Sequence, residues 1–325
     1  MKFDYVVFRL MHKNVLICDF SICFCDCIPF VSPGNIYNAE LLPFPLKLKF
    51  QDKLQEWLLS RCFSNYRFNN PLYLEVLSGF PKGYFNRIFN SQLLVALLCY
   101  GASLSDSYWI NPETEVSINT NTDNLSLIDG MKLSPQKYED INFWSNNIVS
   151  PEIQRISMSS FPEITNVQNY HSPDICTSGR RLKAWQYNGG KFVLRKKVRN
   201  SSEYLSFFES ARCLKNCIIP KITCDGNNIV FSECITNQNL ELLSVRDLIW
   251  ANDLFTIPLE ESLRMSFEKF DMDNMWCESL LQIIKSWCVS DESLDLTNFG
   301  FLLDGDTGKI VNLAVWSLPF DTNRD

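Results

Sequence analysis

Histidine is scarce: His12 and His171 are the only two in 325 residues, and neither has a partner at metal-ligand spacing. Ser-His nucleophilic catalysis and His-centred acid–base work therefore have little to be built from. Long apolar runs are also missing. The longest, LLVALLCYGA at residues 93–102, is about half of what a bilayer span needs and reads as a buried helix. The opening MKFDYVVFRL lacks the positive region and smooth apolar core of a secretory leader. The expectation is a cytoplasmic protein that neither crosses nor binds a membrane. No basic block stands out and the net charge is −7, so direct nucleic-acid binding is not expected. The short run RKKVR reads as a strand edge or a solvated face.

Cysteine, by contrast, is plentiful. Thirteen thiols without an export signal fit free, buried cysteines in a reducing compartment. CFCDC sets Cys23, Cys25 and Cys27 on one face of a strand, because side chains alternate there. Zinc sites use CxxC knuckles completed by a second pair or by histidines, so structural thiols are the better reading. Cys213 and Cys217, four apart on an expected helix, are read the same way.

The apolar fraction of 46% supports a sizeable core, and the length points to two or three lobes. DYVVFRL and VLICDF flank MHKN as a hairpin. FQDKLQEWLLSR carries Phe50, Leu54, Trp57, Leu58 and Arg61 at helical spacing. A second helix covers about residues 91–100, and KYEDINFWS predicts a short one. Residues 146–180, rich in Ser, Pro and Asn, read as an irregular linker. LKAWQYNGGKFVLRKKV then predicts a hairpin across Asn-Gly-Gly. SSEYLSFFESARCLKN predicts a helix capped by Ser201 or Ser202, with Leu205, Phe208 and Leu214 on one face. KITCDGNNIVFSECIT predicts a second hairpin, residues 240–290 read as helical, and a last hairpin turns at Asp304-Gly305. Strand, strand, helix, strand, strand is the order of a kinase small lobe.

At this point the chain resembles a known family. The stretches FRLMHKN, IYNAELLPFPLK, LQEWLLSR, YGASLSDSYWINP, YEDINFW, SPDICTSGRRLKAW and TNFGFLLDGDTGK are similar to the HipA-like kinases, in particular the standalone branch common in Firmicutes. They span nearly the whole chain in order. The resemblance implies an α+β, bilobal protein-kinase-like fold with an N-terminal α+β domain and a truncated C-lobe. The expected divisions are an N-terminal domain at 1–145, a linker at 146–180, a kinase-like N-lobe at 181–238 and a helical C-lobe at 239–325.

It also implies a site. A phosphate loop would use Ser178, Gly179 and Lys183, since glycine lets backbone N–H groups approach phosphate closely. Lys196 and Lys197 point to opposite faces of their strand, and the resemblance favours Lys196 as the phosphate lysine. Glu209, or failing that Glu203, would hold it from the helix. Backbone groups near Glu233 and Cys234 would meet adenine, and Asn298 and Asp321 would bind the metal. ATP and Mg²⁺ are the implied cofactors.

The chain departs from the family at two columns. Where the catalytic loop should read Asp-Arg-His, two residues, then Asn, it reads Ser293-Leu294-Asp295-Leu296-Thr297-Asn298. Asp291 or Asp295 could replace the missing base only through a shifted loop. The metal-binding aspartate's column holds Leu318, and Asp321 follows three residues late. Family members continue with further helices. The expectation is a degenerate kinase that binds nucleotide, a partner protein or both. The alternatives are an active divergent serine/threonine kinase of toxin type that phosphorylates a protein substrate and, as the resemblance implies, pairs with a small DNA-binding antitoxin, and a non-catalytic interaction module.

Overall fold

Alternation of buried and exposed side chains builds the first sheet. In β1 (Tyr5–His12), Phe8 and Leu10 are fully buried while Val7 is exposed. Strand β2 (Val15–Cys25) returns antiparallel, pairing Phe8 with Phe20 and Leu10 with Cys18, and the two phenylalanine rings stack 5.7 Å apart. The turn at Lys13 takes a positive φ of 51°. The computed structural model describes residues 5–25, 28–64, 67, 88–118, 131–162, 167, 169–177, 179–287 and 294–319. Over these the protein is mixed α+β and divides into two units. One comprises Met1–Leu42 with Phe50–Phe192, the other Pro43–Lys49 with Val193–Asp325.

In the first unit the sheet order is β3-β2-β1-β4, with β3 at Ile28–Ile36 and β4 at Tyr108–Pro112. The helix Phe50–Ser60 buries Phe50, Leu54, Trp57 and Leu58, the stripe its spacing predicts. A second helix runs Ile88–Leu98. The expected short helix is two, Tyr138–Ile141 and Phe143–Asn146, because Asn142 leaves the helical region and caps the second through Trp144 N. A small hairpin pairs β5 (Val116–Ile118) with β6 (Met131–Leu133).

The stretch expected to be irregular contains a helix, Pro151–Met158. Ser150 caps it, Pro151 occupies its first turn where no N–H partner is needed, and Ile153 and Ile156 are buried on one side. Pro and Ser were signals of a helix start here, not of a linker. The strand β7 (Lys183–Asn188) ends at the Asn-Gly-Gly turn, where Gly189 and Gly190 both take positive φ.

The second unit takes up the chain within β8 (Lys191–Lys197). β8 pairs with β11 (Ile229–Glu233), which pairs with β10 (Ile222–Cys224). The helix Ser201–Ala211 is capped by Asn200, not by either serine: the Asn200 side chain accepts from Ser202 N and Glu203 N. Its buried face carries Tyr204, Phe208 and Ala211. Cys213 follows this helix and Cys217 opens the short strand β9 (Cys217–Ile218), so the two do not share a helix. Leu240–Ser244 is a strand, β12, rather than helix, because LELLS alternates buried and half-buried positions. Helices Val245–Ala251, Leu259–Lys269 and Asn274–Ser286 follow.

A second sheet has the order β12-β13-β14-β9, with β13 at Phe299–Asp304, β14 at Ile310–Val315 and β9 joining in parallel. Gly300 lets β12 approach: a Cβ there would lie 2.2 Å from the Leu243 carbonyl oxygen. Phe299, Phe301, Leu263 and Phe267 are fully buried in the core of this unit. Full burial of each such side chain contributes roughly 1.5–3 kcal/mol.

Candidate functional site

The second unit concentrates polar groups where its two sheets supply one lysine and one loop. Lys196 lies opposite the fully buried Val230 in the β8–β11 ladder. Lys196, which the resemblance favoured, is half-buried, and Lys197 is exposed. The Lys196 ammonium donates to Ser317 Oγ at 2.6 Å and sits 5.4 Å from the centroid of the Tyr204 ring. The Tyr204 hydroxyl is 3.4 Å from the same Ser317 Oγ. Ser317 and Tyr204 are both buried.

The lysine's expected partner is corrected here. Glu203 and Glu209 are exposed on the helix Ser201–Ala211, and among the described residues no ion pair joins Lys196 to a carboxylate. The reason is helical phase. Tyr204 and Phe208, four apart, define the inward face, and each glutamate is one residue, about 100° of rotation, off it.

The turn at residues 295–298 and the strand exit at 316–319 are laced together. Trp316 N and Ser317 N both donate to the Asn298 carbonyl, at 3.0 and 3.3 Å, and Asp295 N donates to the Pro319 carbonyl at 2.7 Å. Trp316 Nε1 donates to the Thr297 carbonyl at 3.0 Å. Asn298 Nδ2 donates to the Leu318 carbonyl at 2.7 Å and to Asp295 Oδ2 at 2.9 Å. Asp295 Oδ1 accepts from Thr297 Oγ1 at 2.6 Å and from Thr297 N at 3.1 Å. Asp295 therefore closes its own turn. Both of its carboxylate oxygens are engaged there, by Thr297 and Asn298.

The same bonds test the metal. Mg²⁺ takes a near-octahedral set of oxygen ligands that includes carboxylates. Here Asp295 serves Thr297 and Asn298, the Asn298 amide nitrogen is bound twice, and a serine faces the lysine. Among the described residues no group of three His, Cys, Asp or Glu could hold a metal ion. Asn298 would meet a metal through Oδ1, an atom that its two Nδ2 bonds leave aside. Asp291, Asp321 and Ser178 lie outside the described residues.

At the expected adenine segment, Glu233 N donates to the Lys221 carbonyl at 3.0 Å. That donor extends the sheet. Cys234 Sγ is 3.0 Å from Thr236 Oγ1, and burial pushes its thiol up to about 11.

Gly179 and Lys183 belong to the first unit. Gly179 has φ +95°, and a Cβ there would stand 2.6 Å from Lys183 Nζ. The loop thus folds directly over a buried ammonium, and only glycine permits it. The neighbouring Asp174 is fully buried and accepts from Trp185 N at 2.5 Å and Ser172 Oγ at 2.9 Å. Burial nevertheless pushes its carboxyl up to about 7.

Gly179 pairs with Lys183 in one unit; Lys196, Glu233, Cys234, Asp295 and Asn298 lie in the other, with Glu209 turned to solvent. Ser317 and Tyr204 were not anticipated. The i, i+4 spacing of Tyr204 and Phe208 could have exposed the tyrosine; nothing local marks Ser317. Comparison with known proteins gave no matching family model, no matching curated protein and no matching solved structure.

Proposed function

We propose that this chain is a degenerate kinase-fold protein of the HipA-like type, which engages a nucleotide, a partner protein or both instead of transferring a phosphoryl group. The carrying observation is the hydrogen bond from Lys196 to Ser317 beside Tyr204. Phosphoryl transfer requires a strand lysine held by a carboxylate and a metal held by another; hydroxyls meet the lysine here, and Leu318 stands at the column of the metal's aspartate. The order from β8 through the helix Ser201–Ala211 to strands β9, β10 and β11, with three helices after β12, supports the kinase-like lobes. The lacing of 295–298 onto 316–319 supports a catalytic loop and metal loop that have kept their mutual position and lost their acids.

An active divergent kinase would have to free Asp295 from Thr297 and Asn298. The experiment is calorimetric titration of the chain with ATP, with and without Mg²⁺. Binding of equal affinity in both conditions is expected, and Lys196→Ala should weaken it at least about tenfold, or ~1.4 kcal/mol. Mg²⁺-dependent binding with transfer of the terminal phosphate would overturn the proposal. No nucleotide binding would leave the partner-protein role alone.

A further inference from the structure

Three segments of the first unit converge on sulfur. The helix Phe50–Ser60 leads into Arg61 and Cys62, the helix Ile88–Leu98 leads into Cys99, and the stretch after residue 169 carries Cys176. Arg61 ties the first two together, since its Nε donates to the Gly101 carbonyl at 2.8 Å. The Cys176 thiol donates to the Arg61 carbonyl at 2.6 Å. The Cys99 thiol donates to the Ser172 carbonyl at 3.3 Å. That carbonyl also accepts from the N–H of Ile175, the residue before Cys176. Two separate bonds therefore bring Cys99 to the turn that bears Cys176, and the two thiols interact directly. Cys62 and Cys99 are buried, Cys176 is half-buried, and all three are free thiols.

We propose that Cys176 and Cys99 form an oxidative modification site, where a hydroperoxide converts the pair into a disulfide. The Cys176 thiolate attacks one peroxide oxygen, the O–O bond breaks, and hydroxide leaves to be protonated as water. Cys176 is then a sulfenic acid. Cys99 Sγ attacks that sulfur; the S–S bond forms, the S–O bond breaks, and the departing hydroxide takes the Cys99 proton as a second water. The two thiols lose two electrons, which reduce one hydrogen peroxide to two waters. Cys176 is half-buried and Cys99 buried, so the peroxide meets Cys176 first: Cys176 is the attacking thiol and Cys99 the resolving one. The site is independent of the nucleotide reading.

The test treats the full chain with equimolar hydrogen peroxide, unfolds it, alkylates the remaining thiols and maps peptides by mass. A linked peptide joining Cys99 to Cys176, lighter by two hydrogens, is expected. Cys99→Ser should leave a Cys176 sulfenic acid that dimedone traps. Cys176→Ser, at the less buried position, should leave Cys99 fully alkylatable, and it carries the test if Cys99→Ser does not fold. A Cys62–Cys176 link would overturn the proposal. So would Cys176 carried to sulfinic acid with Cys99 still free.

Discussion

Among the described residues the first unit buries Lys53, Arg61, Arg67, Asp174 and Lys183, while the second buries Glu241 and keeps the rest of its charge at or near the surface. In the first, Arg61 is inside, bidentate to Asp106 and bonded to the Gly101 and Tyr108 carbonyls. Asp174 and His171 are buried nearby in sequence, with His171 stacked 4.4 Å from Phe143. In the second, Arg264 bridges Glu260 and Glu278 in the open, while the core beneath is Phe267, Phe299 and Phe301. The difference shows where each unit is vulnerable. An interior ion pair is a poor source of net stability, yet losing one partner strands a charge. A surface pair can be cut at little loss.

The largest effects should come from the two interiors by opposite routes. Asp106→Ala should destabilise the first unit by about 3–5 kcal/mol by orphaning Arg61, measured by urea unfolding. Phe301→Ala should remove a similar ~3–5 kcal/mol from the second, through a cavity. If Asp106→Ala were silent, Arg61 would have to reach water, and the contrast would fail.

The next effect is in pH. Asp174 rises from 3.8 to about 7 in the folded state, so its contribution is full below 3.8 and is lost as pH climbs through 7. His171 falls from 6.5 to about 4 through burial, so its contribution is full above 6.5 and is lost as pH drops through 4. Between these limits the two oppose each other. Asp174→Asn should leave stability rising with pH across that window, and His171→Phe should leave it falling. Equal slopes in both variants would mean that neither group titrates in a buried setting.

Smaller still, Asn200→Ala should cost about 1 kcal/mol as a lost cap, while Ser201→Ala leaves the cap intact. Smallest of all, Glu278→Gln should not move the unfolding midpoint detectably in moderate salt, which scanning calorimetry would check.

Much of the fold was legible because local chemistry writes it. The Phe50, Leu54, Trp57, Leu58 stripe, the Asn-Gly-Gly turn and the alternation of β1 each bury one face by a fixed period. The misread places were those where several local signals compete. Pro151 within a Ser-rich stretch looked like linker and starts a helix. Asn200 outcompeted two adjacent serines as a cap, because its side chain reaches two N–H groups at once. Leu240–Ser244 is too short for its period to separate strand from helix.

The site was legible only as a set of residue types. Sequence alone determined that Lys196 sits on a strand and that residues 293–298 read Ser-Leu-Asp-Leu-Thr-Asn, because these are matters of identity and order. The fold decided that Lys196 meets Ser317 and Tyr204, that Glu209 faces solvent and that Asp295 is consumed by its own turn. Those partners stand more than a hundred residues apart, as with Lys196 and Ser317, or depend on helical phase. Only a folded backbone fixes which side chains share a few ångströms of space.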